Sequence, residues 1–194
     1  KEKTDYQNTI DKITSALSTY FDNSQNGDPE SLLEEILQEL NQLLPELAPQ
    51  KNRQWFQKVN LALGLIHENS IYLAGIGNID ALLINHNQFT QILDKTTDIN
   101  PAKIFTDITS GQLESGDVLI ISTNALFDYV SKEKIRLLSQ KYSPQAAVDQ
   151  LHKLLATVPD FVTFNSLFIK NPGSNDVDLV PVPSVQTSLA FEPE

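Results

Sequence analysis

The most informative segment of the chain is residues 114–128, whose sequence is ESGDVLIISTNALFD. Gly116 and Asp117 are typical of a tight turn, because glycine and aspartate adopt turn conformations at low energetic cost. The strongly apolar segment at residues 118–122 predicts a buried strand. Residues 125–130 then fit a short turn or helix. The segment therefore predicts a turn, a buried strand and a helical turn in direct succession.

Two amphipathic helices are predicted in the first fifty residues. Apolar side chains recur at helical spacing across residues 10–21, and Thr4 with Gln7 has the spacing of a capping box. Asp28 is the predicted N-cap of the second helix, and Pro29 is its first helical residue. The apolar stripe of the second helix is Leu33, Ile36, Leu37, Leu40, Leu44 and Leu47, and its predicted end lies at Pro45 and Pro49.

The remaining pattern predicts an antiparallel meander, a second pair of helices and a last strand. Strands are predicted at residues 55–66, 71–76, 80–84, 88–93 and 104–108, with turns at 67–70 and 85–87. Helices capped by Ser131 and Ser143 are predicted at 131–140 and 143–156, and a strand at 161–170. A turn is predicted at 171–174, and an extended edge strand or tail at 177–194. We therefore predict an α+β fold with helices covering antiparallel sheets.

The charge and composition exclude several classes of function. The 194 residues carry 25 acidic and 14 basic side chains, for a net charge of −11. Residues 1–50 contribute ten acids and three bases, which is −7 of that total. A nucleic-acid backbone or an anionic membrane surface would repel such a chain, so we expect neither as a partner. No apolar run approaches the roughly 20 residues of a membrane span, and we expect a cytoplasmic protein.

General catalytic motifs do not specify a reaction. The absence of cysteine excludes thiol nucleophiles and zinc–thiolate sites. His67, His86 and His152 are too far apart in sequence for a metal-binding helix motif, and we interpret them as surface residues. Asp107, Asp117 and Asp128 are candidate acid–base groups, although spacing alone does not identify such pairs. Gly75-Ile76-Gly77 is only a fragment of a phosphate-binding loop, and a tight turn between strands is the favoured interpretation.

Three segments together resemble the PP2C-like (PPM) metal-dependent serine/threonine phosphatases. Residues 71–83, IYLAGIGNIDALL, resemble a strand–turn–strand whose turn in the family reads Gly-Asp-Ser-Arg. Residues 110–128 resemble a later segment, in which a Gly-Asp turn and an apolar strand precede Ser/Thr-Asp-Gly-Leu-Trp/Phe-Asp. Residues 161–170 fall where the family has its last core strand with an acidic pair. The resemblance spans about residues 5–170.

The resemblance implies a specific fold and site. Members of the family have two packed antiparallel sheets flanked by helix pairs, in α-β-β-α layers. Aspartates at one end of this sandwich hold two Mg²⁺ or Mn²⁺ ions. We therefore expect a PP2C-like domain at residues 1–171, with 172–194 as an extended C-terminal segment or edge strand. We also expect this sequence to lack the N-terminal strands of that fold.

The sequence departs from the family at the metal-binding positions. Asn78 stands at the aspartate of the first turn, with Ile79 and Asp80 after it, and Asn124 stands at the aspartate that follows the buried strand. Thr163 and Phe164 fall at the acidic pair of the last strand. The family's Asp-Gly-His-Gly-Gly motif is not in the sequence, so it lies upstream of Lys1 or never existed.

These departures favour a pseudophosphatase that acts as a protein-binding or regulatory module, with no catalytic residues and no cofactor. The alternative is a divergent active phosphatase that uses Mn²⁺ or Mg²⁺. Its first metal motif would lie upstream of Lys1, and Asp80 and Asp128 would be its weak site candidates. A third reading is that the resemblance is accidental and the domain belongs to another family. If N-terminal strands are missing, residues 177–191 or another chain are expected to cover an open sheet edge.

Overall fold

The computed structural model describes residues 2–23, 27–48, 53–56, 58–85, 88–93, 99–100, 102–159 and 161–172. Its helices are α1 (Glu2–Asn23), α2 (Pro29–Leu47), α3 (Arg53–Phe56), α4 (Ala125–Tyr129), α5 (Lys132–Lys141) and α6 (Pro144–Leu155). Its strands are β1 (Leu61–His67), β2 (Ser70–Ile76), β3 (Ile79–Asn85), β4 (Gln88–Gln91), β5 (Thr109–Gln112), β6 (Val118–Thr123) and β7 (Ser166–Lys170).

The strands form two antiparallel sheets with the orders β1-β2-β5 and β4-β3-β6-β7. Alternate side chains of each strand face opposite sides, so each sheet has an inner and an outer apolar face. The inner faces pack on each other through Ile71, Leu73, Ala81, Leu93, Leu113 and Leu119. The predicted antiparallel sandwich is therefore confirmed.

Helix pairs cover both outer faces. Leu40 and Leu44 of α2 are almost fully buried against β1 and β2, with Ile13 and Leu17 of α1 packed beside them. On the other side, Ile135 of α5 and Ala147 of α6 pack against Ile120 and Phe168 of the larger sheet. The layers are thus α-β-β-α, as predicted.

The predicted helix starts at Asp28, Ser131 and Ser143 are confirmed. Each of these side chains accepts a hydrogen bond from the backbone N–H three residues later. This bond satisfies one of the N–H groups that the first helical turn leaves without a partner. None of the helices in the ranges given above is long and apolar enough to cross a membrane.

Two of the predicted strand positions in the meander are wrong. Residues 53–56 form the short helix α3, and the strand begins only at Leu61. Trp55 and Phe56 make an edge-to-face contact there, and Phe56 is buried among the helices. The segment 104–108 is not a strand, because the side-chain amide of Asn41 takes the place of a neighbouring strand. Asn41 donates to the Phe105 carbonyl and accepts from the Phe105 N–H.

Three predicted ends of helices and strands also differ from those in the structure. Thr4 lies inside α1 instead of capping it, and Pro45 lies in the last turn of α2, which continues to Leu47. Pro45 has no N–H to donate to the carbonyl four residues earlier, so α2 continues past it to Leu47 with one hydrogen bond fewer. The last strand begins at Ser166 and not at Phe161, because Val162 is held in a turn by the Pro159 carbonyl.

Other predictions fall outside the described residues. These are the turn residues His86 and Asn87, the predicted end of the second helix at Pro49, the second half of the turn at 171–174, and the extended segment at 177–194. The division into a domain at 1–171 and a segment at 172–194 therefore stays a prediction.

Candidate functional site

A cleft of about 710 Å³ lies at one end of the sandwich, and we call it the strand-end cleft. Five strands meet there: β1, β3 and β7 begin at this end, and β2 and β6 finish at it, as their pairing register requires. Polar residues follow or precede each of these strands. The cleft is lined by Thr9, Ile10, Ile13, Leu44, Trp55, Lys58, Val59, Asn60, Leu61, Asn78, Thr123, Asn124, Ala125, Asp128, Thr163 and Asn165.

Backbone hydrogen bonds connect the turns around the cleft. The N–H of Asn78 donates to the Asn60 side-chain oxygen at 2.7 Å, and the N–H of Asn124 donates to the Asn78 carbonyl at 3.0 Å. Asn78 therefore ties the start of β1 to the end of β6. Because the two strands belong to different sheets, these bonds fix the two sheets relative to each other at this end.

The connection between β2 and β3 requires glycine at position 77. Its φ of +81° lies in the left-handed region, where a Cβ atom is disfavoured. An added Cβ would also lie 2.3 Å from the Val59 carbonyl oxygen and 2.5 Å from the side-chain oxygen of Asn60. The predicted tight turn between strands is therefore confirmed, and glycine there permits the close approach of Asn60 to Asn78.

A second group of hydrogen bonds holds the segment before β7. The Thr123 N–H donates to the Asn165 carbonyl at 3.0 Å, and the Asn165 N–H donates to the Thr123 hydroxyl at 3.2 Å. The Ser122 and Ser166 hydroxyls are 2.7 Å apart. This polar ladder positions Thr163 and Asn165 on the cleft wall.

The structure brings most of the sequence-predicted positions together. Asn78, Asn124 and Thr163 all line the strand-end cleft, and so does the carboxylate candidate Asp128. Phe164 does not line it. Its ring makes an edge-to-face contact with Tyr129, with centroids 5.5 Å apart, and packs against the core under α5 and α6.

Asp80 is also absent from the cleft, so the structure does not support it as a site candidate. It is a buried residue of β3 with 2% of its surface exposed, and its carboxylate accepts a hydrogen bond from the Gln91 side chain at 3.3 Å. The contact is between neighbouring strands of one sheet. Asp80 therefore has a structural partner inside the sheet.

The other candidate residues lie elsewhere. Asp117 is at the opposite end of β6, where its carboxylate accepts from the Glu114 N–H at 3.0 Å and the Asn85 side chain at 3.2 Å. Asp107 is exposed beside α2. His67 is exposed at the end of β1, and His152 is exposed on α6, as the surface interpretation expects.

The sequence pattern did not identify Trp55, Lys58 and Asn60 as part of the site. All three residues fall within the predicted strand at 55–66, and Asn60 lies 18 residues from the Asn78 N–H that it binds. The only signal available in the sequence was a cluster of polar residues at the start of an apolar strand. Such clusters are common at strand ends and do not by themselves mark a site.

The residues of the cleft do not fit a two-metal centre. Hard divalent cations prefer several anionic oxygen ligands, and a two-metal site needs these ligands to converge within a few ångströms. Among the described residues that line the cleft, Asp128 is the one carboxylate, and Lys58 is the one basic side chain. No group of three or more histidine, cysteine, aspartate or glutamate residues is placed to hold a metal within the ranges that the structure covers.

Comparison with known proteins identifies the architecture. A bacterial serine phosphatase structure is 20% identical, with a TM-score of 0.66 over 83% of this chain and 78% of that chain. PppA, described as a key regulatory component of T6SS in Pseudomonas aeruginosa, is 12% identical, with a TM-score of 0.65 over 82% and 79% of the two chains. The chain has a PP2C-type phosphatase fold.

The catalytic domain of the serine/threonine phosphatase PstP, in complex with two manganese ions, is 18% identical. Its TM-score is 0.54 over 73% of this chain and 71% of that chain. No protein-family model and no curated protein sequence matches the chain. At these identities the likeness establishes the PP2C-like fold, and any conclusion on chemistry depends on the residues of the cleft.

Proposed function

We propose that this chain is a PP2C-like pseudophosphatase, which binds another protein and does not hydrolyse phosphate esters. The observation that carries the proposal is the lining of the strand-end cleft, where Asn78, Asn124, Thr163 and Asn165 surround a single carboxylate, Asp128. The resemblance places metal-binding acids at or beside several of these positions. The scaffold and the cleft are therefore retained while the anionic ligands are replaced by neutral ones.

Replacing carboxylates by neutral side chains weakens the electrostatic attraction of the cleft for metal cations. The attraction between two unit charges is about 4 kcal/mol at 4 Å and an effective dielectric constant of 20. Each aspartate replaced by asparagine or threonine removes an attraction of this order for each nearby cation. A neutral amide oxygen also does nothing to offset the mutual repulsion of two divalent ions. We therefore expect no tight two-metal site from the lining residues.

The same residues suit a peptide ligand. An asparagine side chain both donates and accepts hydrogen bonds, so it can pair with the N–H and C=O groups of a peptide backbone. Trp55 and Ile10 add apolar surface to the cleft wall, and Ile10 is 55% exposed. This combination of an apolar wall and neutral amides favours an uncharged, extended segment of a partner protein as the ligand.

The enzymatic half of the proposal is tested with a phosphorylated peptide and with p-nitrophenyl phosphate, in the presence of Mn²⁺ or Mg²⁺. We expect turnover by the wild-type chain to equal that of the Asp128→Asn variant. Metal-dependent turnover that falls in this variant would establish the alternative, a divergent active phosphatase. Asp128 supports that alternative because its position lines the cleft.

The binding half is tested with two variants that add the same charge at exposed positions. Thr163→Arg places a bulky cation in the strand-end cleft, whereas Ser115→Arg places one in the turn at the opposite end of β6. A partner that co-purifies with the wild-type chain should be retained by Ser115→Arg and lost by Thr163→Arg. Equal retention by both variants would place the binding surface elsewhere.

A further inference from the structure

A second cleft, of about 450 Å³, continues from the strand-end cleft along the side of the sandwich, and we call it the side cleft. It lies between β1 and β7, each of which is the outermost described strand on its side of its sheet. The two clefts share four lining residues, Asn60, Leu61, Thr123 and Asn165. They therefore form one continuous groove with two sections.

The side cleft is more apolar than the strand-end cleft. Leu73, Leu119 and Ile121 from the inner strands line it. Leu167 of β7 is 53% exposed beside it, and Ile66 of β1 is 42% exposed. None of the described residues that line the side cleft carries a charge. A charged side chain of a ligand would lose its hydration there without gaining a partner, so this section favours uncharged ligand residues.

Small residues of β1 leave room for a ligand. Ala62 and Gly64 lie on the side of β1 that faces the cleft, and both are too short to reach across it. A Cβ added at Gly64 would lie 2.7 Å from a methyl group of Leu73, so a larger residue at this position has no space. The side chains of β1 therefore leave the gap toward β7 open.

The backbone of β7 directs hydrogen-bonding groups away from its sheet. The Thr123 N–H donates to the Asn165 carbonyl, so the register makes odd-numbered residues of this segment bond to β6. Backbone groups alternate between the two edges of an antiparallel strand. The N–H and C=O groups of Ser166 and Phe168 therefore point away from β6, and no strand of the described ranges lies against them. A row of such groups is a template for an added strand.

These features specify an extended strand as the occupant of the side cleft. A helix uses its own backbone N–H and C=O groups internally, so it would leave the outward groups of Ser166 and Phe168 without partners. An extended strand supplies matching groups along its edge and directs alternate side chains toward the cleft. The extended segment proposed for the strand-end cleft can continue into the side cleft, because the two sections are continuous.

We propose that the bound protein contributes a strand that pairs antiparallel with β7 and fills the side cleft with apolar side chains. This inference rests on the proposed function, because it names the part of the bound protein that makes the contact. Every pair of neighbouring strands in the two described sheets is antiparallel, and this pairing is slightly more stable per residue than the parallel one. Since β7 begins at the strand-end cleft, the added strand runs toward that cleft.

The phase of the added strand follows from the register of β7. Residues directly opposite each other in an antiparallel pair share a face. Leu167 and Ile169 line the side cleft, so the residues opposite them are apolar. The residues opposite Ser166 and Phe168 exchange backbone hydrogen bonds with β7. Apolar residues of the added strand therefore alternate with the residues whose N–H groups donate to β7.

The test uses an uncharged seven-residue peptide with blocked ends, in which valine alternates with threonine. Residue-resolved NMR titration of the full chain should show a saturable shift of the Phe168 amide and its protection from hydrogen exchange. Methylation of the threonine N–H groups removes the donors to β7 and should weaken binding by at least about ten-fold. Methylation of the valine N–H groups, which point away from β7, should weaken it by less than about three-fold.

Two substitutions at similarly exposed leucines provide the matched control. Leu167→Arg places a charge in the side cleft and should abolish peptide binding. Leu137 is 48% exposed on α5 and lines neither cleft, so Leu137→Arg should bind the peptide as the wild-type chain does. The Ile169 amide, which points toward β6, reports that both variants remain folded.

Several results would overturn the proposal. They include an unchanged Phe168 amide at millimolar peptide, equal binding by Leu167→Arg, and equal or reversed effects of the two methylated peptides. Protection of the Phe168 amide in the chain without peptide would also overturn it, because the edge would already be paired. Such protection would arise within one chain if it is independent of protein concentration, and from a second copy if it rises with concentration.

A protein that co-purifies with the wild-type chain separates this inference from the proposed function. We expect both Thr163→Arg and Leu167→Arg to lose that protein. Its loss from Thr163→Arg alone would overturn the added strand and leave the proposed function intact. Its retention by both variants would contradict the proposed function as well.

Discussion

At the scale of single residues, Asp117 shows why a conspicuous carboxylate can have a purely structural role. It is 2% exposed at the start of β6, and its carboxylate accepts hydrogen bonds from the Glu114 N–H and the Asn85 side chain. Its backbone carbonyl accepts from the Asn171 N–H. Asp117 therefore joins the turn before β6 to β3 and to the residue that follows β7.

Replacing Asp117 by alanine should destabilise the fold by about 2–3 kcal/mol, because two partly buried donors would lose their buried acceptor. The measurement is the free energy of unfolding from urea denaturation. Asp107→Ala removes the same charge from an exposed position and should change this free energy by less than about 0.5 kcal/mol. Equal effects of the two substitutions would mean that net charge, and not the buried hydrogen bonds, determines the loss.

Gly77 and Gly116 form a matched pair for testing the geometry of the strand-end cleft. Both have positive φ, at +81° and +89°, but only Gly77 has atoms within 4 Å of an added Cβ. Gly116→Ala should cost about 1 kcal/mol from backbone strain alone. Gly77→Ala should cost roughly 2–4 kcal/mol, because Val59 and Asn60 must also move. Urea denaturation measures both, and equal costs would contradict the close packing at Gly77.

At the scale of elements, the sequence determines secondary structure best where local chemistry is sufficient. The caps at Asp28, Ser131 and Ser143 were predictable because each bond is made within four residues. The segment 104–108 was not, because Asn41 satisfies the Phe105 backbone from 64 residues away. A strand-like apolar pattern therefore became an irregular segment held by a distant side chain.

Asp28, the N-cap of α2, contributes to the stability of the fold in a way that depends on pH. Hydrogen bonds from the Ser31 N–H, and then from its hydroxyl, lower the pKa of Asp28 below its usual 3.8. A carboxyl group whose pKa is lowered by folding stabilises the native state above its unfolded pKa, and this contribution is lost as pH falls through the folded value. The advantage of the wild-type chain over Asp28→Ala should therefore be full near neutral pH and decline only below about pH 4.

Thermal melting of the wild-type chain and the variant near pH 7 and near pH 3 measures this difference. Ser131→Ala serves as the control, because its hydroxyl cap does not titrate in this range. The deficit of Ser131→Ala should be similar at both pH values. A deficit of Asp28→Ala that is unchanged at low pH would contradict the role of the ionised cap.

At the scale of the whole molecule, the sandwich was predictable from apolar periodicity and from the family resemblance, but the composition of the cleft was predictable only in part. The resemblance placed the acidic pair at Thr163 and Phe164, whereas Thr163 and Asn165 line the cleft. Successive side chains in extended backbone point to opposite sides, so Phe164 turns into the helix-covered core. An alignment error of one residue exchanges a cleft residue for a core residue, and sequence patterns do not resolve that difference.

We propose that the fold is retained without a two-metal centre, and calorimetric titration with Mn²⁺ decides this claim. The wild-type chain should be titrated beside the triple variant Asn78→Asp, Asn124→Asp and Asn165→Asp, which restores carboxylates to the cleft lining. We expect no binding in the micromolar range by the wild-type chain and a gain of affinity in the variant. Micromolar or tighter binding of Mn²⁺ by the wild-type chain, lost on Asp128→Asn, would contradict the claim.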